Sequence, residues 1–487
     1  MLPENLIDLM TMIMDRKAET QNVEVKSAHL GCPKRLYDTL SSFSNQNGGG
    51  VIVFGLDESQ SFEAVGVYDL QDLQKKVTEQ CQQMAPPVRA VFTMAHWRGK
   101  DFLAAEIPGL DYADRPCYYK GAGRIRGSFI RTGDADLPMT DYELYSFEAF
   151  RKRIRDDERT VDRASVEVLD QKRLSQYVEE KKKNHPKFSM LPEPVILDML
   201  NITRNGKITL AALLNFGIYP QSFFPQFAIT AIAVAGYEIG DADREGLRFI
   251  DNERIEGNLE DMMEGALSFC RRNMKVRTVI DPETGARNDR TEYPMAAVRE
   301  AVLNSLIHRD YSIYTEGTPI QIDFFKNRLE IHSPGGLYGR LTIDELGKAR
   351  PDLRNPTLAV MAEMMTESEN RYSGIPTMRK AMAAMKLPEP LFENRRDEFV
   401  VTLFNGELEE KDHEFIPSGS TEDMILAYCL TPRTKKEIAG FLGMKTTWYM
   451  MKRYVEPLVN QGKLQVVPAL DGGRRNLKYC SSVLREK

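Results

Sequence analysis

The 487-residue sequence predicts a multidomain protein of mixed α/β (α+β) class. Three observations carry that prediction. The chain is several times the usual domain length, so it holds roughly three or four hydrophobic cores. Short apolar runs, such as Val51–Phe54 and Ile320–Phe325, alternate with stretches of helical periodicity. The charge is also unevenly distributed. From Gly419 onward there are twelve Lys/Arg against six Asp/Glu, a balance of +6, so the net −6 of the whole chain leaves −12 for the rest. A basic end on an acidic body points to a nucleic-acid partner for that end. A hydrophobic content of 42% and a charged content of 28% are those of a soluble globular protein rather than a disordered or fibrous one. No apolar run approaches the roughly 18 residues that would span a bilayer, so no membrane partner is expected. The first residues, MLPENLIDLMTMIMDRK, read as an amphipathic helix rather than a signal peptide. The six cysteines are scattered without a C-x-x-C, as in reduced, packed thiols. A cytoplasmic location is expected.

The first informative stretch runs from Glu19 to Asp57. Glu19 and Glu24 are five apart, with Lys26 close behind. A helix-like run, Arg35 to Asn45, carries Leu36, Leu40 and Phe43 at helical spacing. The turn Gly48-Gly49-Gly50 leads into the strand Val51–Phe54, which ends at Gly55 and Asp57. Three carboxylates brought together from strands and a turn would suit Mg²⁺ or Mn²⁺, which prefer oxygen ligands. Lys26 beside them would steady a developing phosphate charge. The same acids also suit a solvated strand edge.

The order of these parts resembles the Schlafen AlbA-type (divergent AAA) domain. The residues that carry the likeness are Glu19, Glu24-Val25-Lys26, Ser42 to Gly49, and Phe54-Gly55-Leu56-Asp57-Glu58. It continues through Pro116, Tyr118, Tyr119 and the strand Ser128 to Gly133. The resemblance implies an AlbA-type domain over residues 1–150, with Glu19, Glu24 and Asp57 as metal ligands and Lys26 beside them in a catalytic set. Some members of the family are metal-dependent RNases, and others only bind or regulate. In the same domain Lys120, Arg124, Arg126 and Arg131 interleave with Tyr118, Tyr119 and Phe129. Cations neutralise phosphates and rings stack bases, so these four are candidate nucleic-acid contacts. A strand pair with a basic face and core aromatics is the alternative.

Residues 151–275 read as a helical connector followed by an α/β scaffold without visible chemistry. The next region, 276–406, begins with the helix YPMAAVREAVLNSLIHRDY. Glu300 and Asn304, four apart, share one face of it. Strands and the turn Ser333-Pro334-Gly335-Gly336-Leu337 follow, then Arg354-Asn355-Pro356 and Tyr372-Ser373-Gly374-Ile375. This order resembles the Bergerat-like ATP-binding fold of the gyrase, heat-shock chaperone, histidine-kinase and MutL superfamily. It is closest to the degenerate branch that follows AlbA-type domains. The resemblance implies an α/β sandwich in which Asn304 coordinates Mg²⁺, Glu300 activates water, and Gly335, Gly336 and Gly374 form the nucleotide loops. Two departures stand out. Ser333 and Pro334 occupy the place of the adenine-reading Asp box, and the second loop has only Gly374. Weak ATP binding and slow or absent hydrolysis are therefore expected.

Residues 407–418 read as a polar linker. Residues 419–487 resemble a winged helix-turn-helix. Its recognition helix would offer Lys445, Thr447, Lys452 and Arg453 to DNA, and its wing Arg474 and Arg475. Three readings fit the whole: a metal-dependent nuclease on RNA or single-stranded nucleic acid, an ATP-responsive transcriptional regulator whose AlbA-type domain binds without cleaving, and an oligomeric structural scaffold. RNA or DNA is the expected partner, and a homo-oligomer, dimer or larger, the expected assembly.

Overall fold

Pro3 in its first turn and apolar Leu6, Met10 and Ile13 at helical spacing define the opening helix, α1 (Pro3–Arg16), in the computed structural model of the chain. The structure describes residues 1–241, 246–280, 287–363, 374–406, 421–429, 433–442, 451–467 and 477–481. It divides after Gly406 into two compact units, Met1–Gly406 and Glu407–Lys487.

In the first unit, β1 (Val23–Lys26), α2 (Tyr37–Ser44), β2 (Gly50–Phe54), α3 (Leu70–Gln82), β3 (Val91–Trp97) and β4 (Lys100–Ile107) follow α1. The strands form a sheet in the order β1-β2-β4-β3, in which β1 runs parallel to β2 and the other pairs are antiparallel. The alternation of strand side chains sorts them onto two faces. Val23, Val25, Val53, Phe102 and Ala104 pack with α1, while Ile52, Phe54, Leu103 and Ala105 pack with Leu36, Leu40, Leu73 and Val77. The turn before β2 needs glycine. Gly49 has φ +71°, and a Cβ there would lie 1.9 Å from the Ile107 carbonyl oxygen. A hairpin of β5 (Phe129–Thr132) and β6 (Ala135–Pro138) lies beside α2 and leads to α4 (Asp141–Lys152). Thr140 and Glu143 cap α4 reciprocally.

The rest of this unit contains α5 (Gln171–Asn184), α6 (Leu210–Phe216), β7 (Ile229–Val234), β8 (Phe249–Ile255), α7 (Leu259–Asn273), α8 (Met295–His308), β9 (Ile320–Phe324) and β10 (Arg328–Pro334). After these come α9 (Pro356–Ala362), α10 (Gly374–Ala384), β11 (Leu391–Asn394) and β12 (Glu398–Phe404). A six-stranded sheet runs β8-β7-β9-β10-β12-β11, with only the β7–β9 pair parallel. This sheet corrects the expected boundary between 275 and 276. Strand β7, within the stretch expected to be a separate scaffold, pairs directly with β9, and one hydrophobic core runs from Val161 to Leu403. The physical reason is that β7 is apolar enough to be a central strand, so it needs neighbours on both edges. Helices α7 and α8 cover one face of the sheet, through Met262, Ala266, Ala297, Ala301 and Leu306 against Ile229, Ile322 and Ile331.

The second unit contains α11 (Thr421–Tyr428), β13 (Arg433–Thr434), α12 (Lys435–Phe441), a π-helical turn Met451–Val455 running into α13 (Glu456–Asn460), β14 (Leu464–Val467) and β15 (Lys478–Ser481). Its sheet order is β13-β15-β14, antiparallel throughout. Ile425, Ile438, Val455, Leu458, Leu464 and Tyr479 form its core.

Candidate functional site

Strand β1 places Glu24 beside Glu19, as expected, but an arginine lies with them. Arg131 on β5 has only 1% of its side chain exposed. Its Nη1 is 2.8 Å from Glu24 Oε2 and 3.0 Å from Asp136 Oδ1, and its Nη2 is 3.5 Å from Glu19 Oε2. Lys26 pairs with the other oxygen of Glu24. The second oxygen of Glu19 accepts the Val25 backbone N–H at 2.7 Å. Burial, and then Glu24 beside it, push the Glu19 carboxyl up to about 7.

Asp57 does not join them. It accepts from Ser59 N, Ser59 Oγ and Gln60 Nε2 at 3.0, 2.7 and 2.6 Å, and so caps a short 3₁₀ turn. Those hydrogen bonds hold its carboxyl below the usual carboxylate range. The expected metal triad of Glu19, Glu24 and Asp57 is thus not assembled. Among the described residues, only Asp323, Glu330 and His332 bring three ligand atoms within 4.8 Å of one another. Glu19 and Glu24 are compensated by guanidinium and ammonium groups, so the residues present do not fit a divalent ion.

The basic stretch divides by role. Arg131 is an interior cation rather than a nucleic-acid contact, because two acids and an aspartate hold it inside the fold. Arg124 pairs with Glu148 at 2.9 Å and donates to the Leu144 carbonyl, tying its turn to α4. Lys120 and Arg126 are exposed. Tyr119 stacks on Tyr37 with ring centroids 3.8 Å apart, and Phe129 is buried, so these two rings pack inside the protein.

The expected nucleotide residues do come together. A cavity of about 170 Å³ is lined by Asn304 and His308 of α8, by Gly335, Gly336 and Arg354, and by Gly374 at the start of α10. Ile331, Phe399 and Val401 of the sheet line it as well. A Cβ on Gly374 would sit 2.8 Å from Glu300 Oε2 and 2.9 Å from Asn304 Nδ2, so glycine lets that backbone approach the helix pair. The carboxyl of Glu300 is raised by burial. These residues fit a Mg²⁺–nucleotide. Asn304 would hold the ion at the phosphates, Glu300 would stand beside it, and the bound ion would neutralise phosphate charge.

Sequence reasoning missed three residues of the cavity and its surroundings. His308 lines the cavity with much of its surface exposed. The protein around it, and then Arg354, push its pKa down. Arg354 Nη2 donates to the Gly336 carbonyl at 2.9 Å, while Nη1 lies 3.5 Å from Asp310 Oδ2 without a hydrogen-bond partner. Asp310 in turn accepts from Tyr142 Oη of α4 at 2.8 Å. The motif residues around them brace the cavity. Arg309 donates to the carbonyls of Thr315 and Thr318, and Asn355 to those of Ile307 and Arg309.

Comparison with known proteins agrees with this division. Residues 19–140 match the family model described as "Schlafen, AlbA_2". Residues 317–403 match the model described as "Putative ATP-dependent DNA helicase recG C-terminal", of HATPase type. The chain carries an AlbA-type domain and an ATPase-type domain. Between them, residues 147–230 match a domain of unknown function. No curated protein matches the chain. Among solved structures, the DIP2311 protein from Corynebacterium diphtheriae is 20% identical with a TM-score of 0.39, covering 99% of this chain and 97% of its own. The N-terminal domain of a "Putative ATP-dependent DNA Helicase RecG-related Protein" from Nitrosomonas europaea is 23% identical with a TM-score of 0.23. It covers 28% of this chain and 93% of its own.

In the C-terminal unit, Lys452 and Arg453 are exposed on the π-helical turn. Lys445, Thr447, Arg474 and Arg475 lie outside the described residues. Among the described residues no helix is long and apolar enough to cross a membrane.

Proposed function

We propose that this chain is a nucleotide-responsive nucleic-acid-binding protein. Its ATPase-type cavity takes ATP with Mg²⁺, and its AlbA-type domain and C-terminal unit engage nucleic acid. The observation that carries this reading is the convergence of Asn304, Gly335, Gly336 and Gly374 on one cavity, with Glu300 beside Gly374. The names of the matched domain models, one from the Schlafen group and one from a DNA helicase, support a nucleic-acid partner. The C-terminal order of helix, strand, helices and two strands, with the first strand pairing to the last, supports a winged helix. A metal-dependent nuclease is not part of the reading, because Arg131 occupies the position between Glu19 and Glu24 where an ion would be needed. Hydrolysis of ATP is slow or absent in this reading. A half-buried Glu300 with a raised pKa is a candidate base, but Ser333 Oγ is committed to the Ser305 carbonyl where the wider superfamily reads adenine.

Calorimetric titration of ATP and Mg²⁺ tests it. The parent chain should bind, and Asn304→Ala should bind at least about tenfold more weakly, a loss of roughly 1.4 kcal/mol. Absence of heat with the parent chain would overturn the reading.

A further inference from the structure

The face of the six-stranded sheet turned away from α8 carries Gln321 and Asp323 on β9 and Glu330 and His332 on β10. Their neighbours Ile322 and Ile331 point into the core. Glu398 of β12 lies alongside. We propose that Asp323, Glu330 and His332 bind a divalent transition-metal ion there, at a site separate from the nucleotide cavity.

The spacing fits. His332 Nε2 is 3.2 Å from Glu330 Oε2 and 3.6 Å from Asp323 Oδ2. Ligand atoms about 2.0–2.2 Å from a tetrahedral ion stand roughly 3.4 Å from one another, so these two distances bracket the requirement. The other ring nitrogen, Nδ1, is 3.1 Å from Glu398 Oε2. A carboxylate on the far nitrogen is how a metal-bound imidazole is held in its tautomer and orientation.

The charge balance is a separate argument. Glu330 is answered by Arg328 at 2.6 Å, and Glu398 by Arg395 at 2.9 Å. Asp323 is 2% exposed, and among the described residues its hydrogen bonds come only from the neutral amide of Gln321, at 3.2 and 3.3 Å, while its nearest cationic group is the His332 ring, with Nε2 3.6 Å away. A metal ion at that nitrogen would take the place of the imidazole proton as the cation facing this buried carboxylate. An ion placed at His332 Nε2 would touch Asp323 and Glu330 together.

A separate cavity of about 420 Å³ is lined by Gln321, His332 and Glu398 of the sheet together with Thr140 and Tyr142. An ion held by His332 would be reached from it. Two carboxylate oxygens with one imidazole nitrogen select Zn²⁺, Mn²⁺ or a neighbouring transition ion over Ca²⁺ and Mg²⁺, which take oxygen-only sets.

The test uses the untagged full chain, stripped with a chelator and titrated calorimetrically with ZnCl₂ and with MnCl₂ without nucleotide. The parent should take up one ion. Asp323→Asn, with folding checked by circular dichroism, should bind at least tenfold more weakly, and His332→Gln serves the same comparison if Asp323→Asn does not fold. Glu398→Gln should lose about 10–100-fold through the orienting bond alone. Asn304→Ala should bind the ion unchanged, which separates this site from the proposed ATP site. No uptake by the parent, or equal uptake by a folded Asp323→Asn, would overturn the proposal and leave the cluster as an imidazolium held by carboxylates.

Discussion

Glu19 and Glu24 stand where a metal-ion site would need them, yet the group between them is a guanidinium. The sequence brings the acids within six residues of one another, but Arg131 enters from a hairpin more than a hundred residues later. Only the pairing of that hairpin beside α2 shows that the cation belongs to the same cluster, so the acids were legible in the sequence and their neutralisation was not. The raised Glu19 pKa has a consequence with a definite sign. An acid whose folded pKa of about 7 exceeds its ordinary 4.5 binds more protons folded than unfolded between those values. Stability therefore falls as pH rises through that window. Glu19→Gln removes this contribution. Its melting temperature should decline less than that of the parent between about pH 5 and pH 7. Parallel curves for the two proteins would mean that Glu19 titrates as an ordinary exposed acid.

At the scale of elements, α8 and the glycine that faces it help to form the cavity proposed to take the nucleotide. Gly374→Ala would place a methyl 2.8 Å from Glu300 Oε2 and 2.9 Å from Asn304 Nδ2. Both atoms are the ends of side chains that can swing, so the fold should survive with little change in melting temperature. The phosphate end of the cavity would fill, and ATP affinity should fall at least about tenfold, roughly 1.4 kcal/mol by calorimetry. The pair Glu300 and Asn304 was readable because a helix repeats every 3.6 residues and puts them on one face. Their meeting with Gly374 came from the motif order alone. His308 and Arg354 were visible in the sequence only as motif letters, since nothing local says that they line the same cavity. The sheet cluster was readable in part. Gln321 and Asp323, and Glu330 and His332, each alternate with a core isoleucine, which marks polar groups on one face of paired strands. In the C-terminal unit, replacing Lys452 and Arg453 together by Ala should weaken duplex DNA binding of the full chain by about 1–3 kcal/mol. The slope of affinity against salt should also become shallower in a gel-shift series.

Within Met1–Gly406, polar side chains tie the AlbA-type domain to the ATPase-type domain. Arg340 forks onto Asp111 at 3.0 and 3.2 Å, Arg396 forks onto Glu143 at 2.8 and 3.0 Å, and Tyr142 donates to Asp310 at 2.8 Å. Arg340 belongs to the segment between Leu337 and Arg354 that lines the cavity, and Asp310 contacts Arg354 directly. A ligand that shifts this segment would act on α4 and the loop at Asp111 through these contacts, and any such coupling is reciprocal. ATP with Mg²⁺ should therefore slow amide hydrogen exchange in residues 110–114 and 141–152, and nucleic acid bound to the AlbA-type domain should tighten ATP binding by the same factor as ATP tightens nucleic acid. Arg340→Ala breaks one link without entering the cavity's Glu300–Asn304 end. It should keep ATP affinity in the absence of nucleic acid and shrink the mutual effect. Exposed ion pairs are worth only about 0–1 kcal/mol in stability, so the variant should fold normally and the change should appear in coupling rather than in melting temperature. If exchange in residues 141–152 does not respond to ATP in the parent chain, the two domains touch without communicating, and nucleotide binding would have to act through the C-terminal unit.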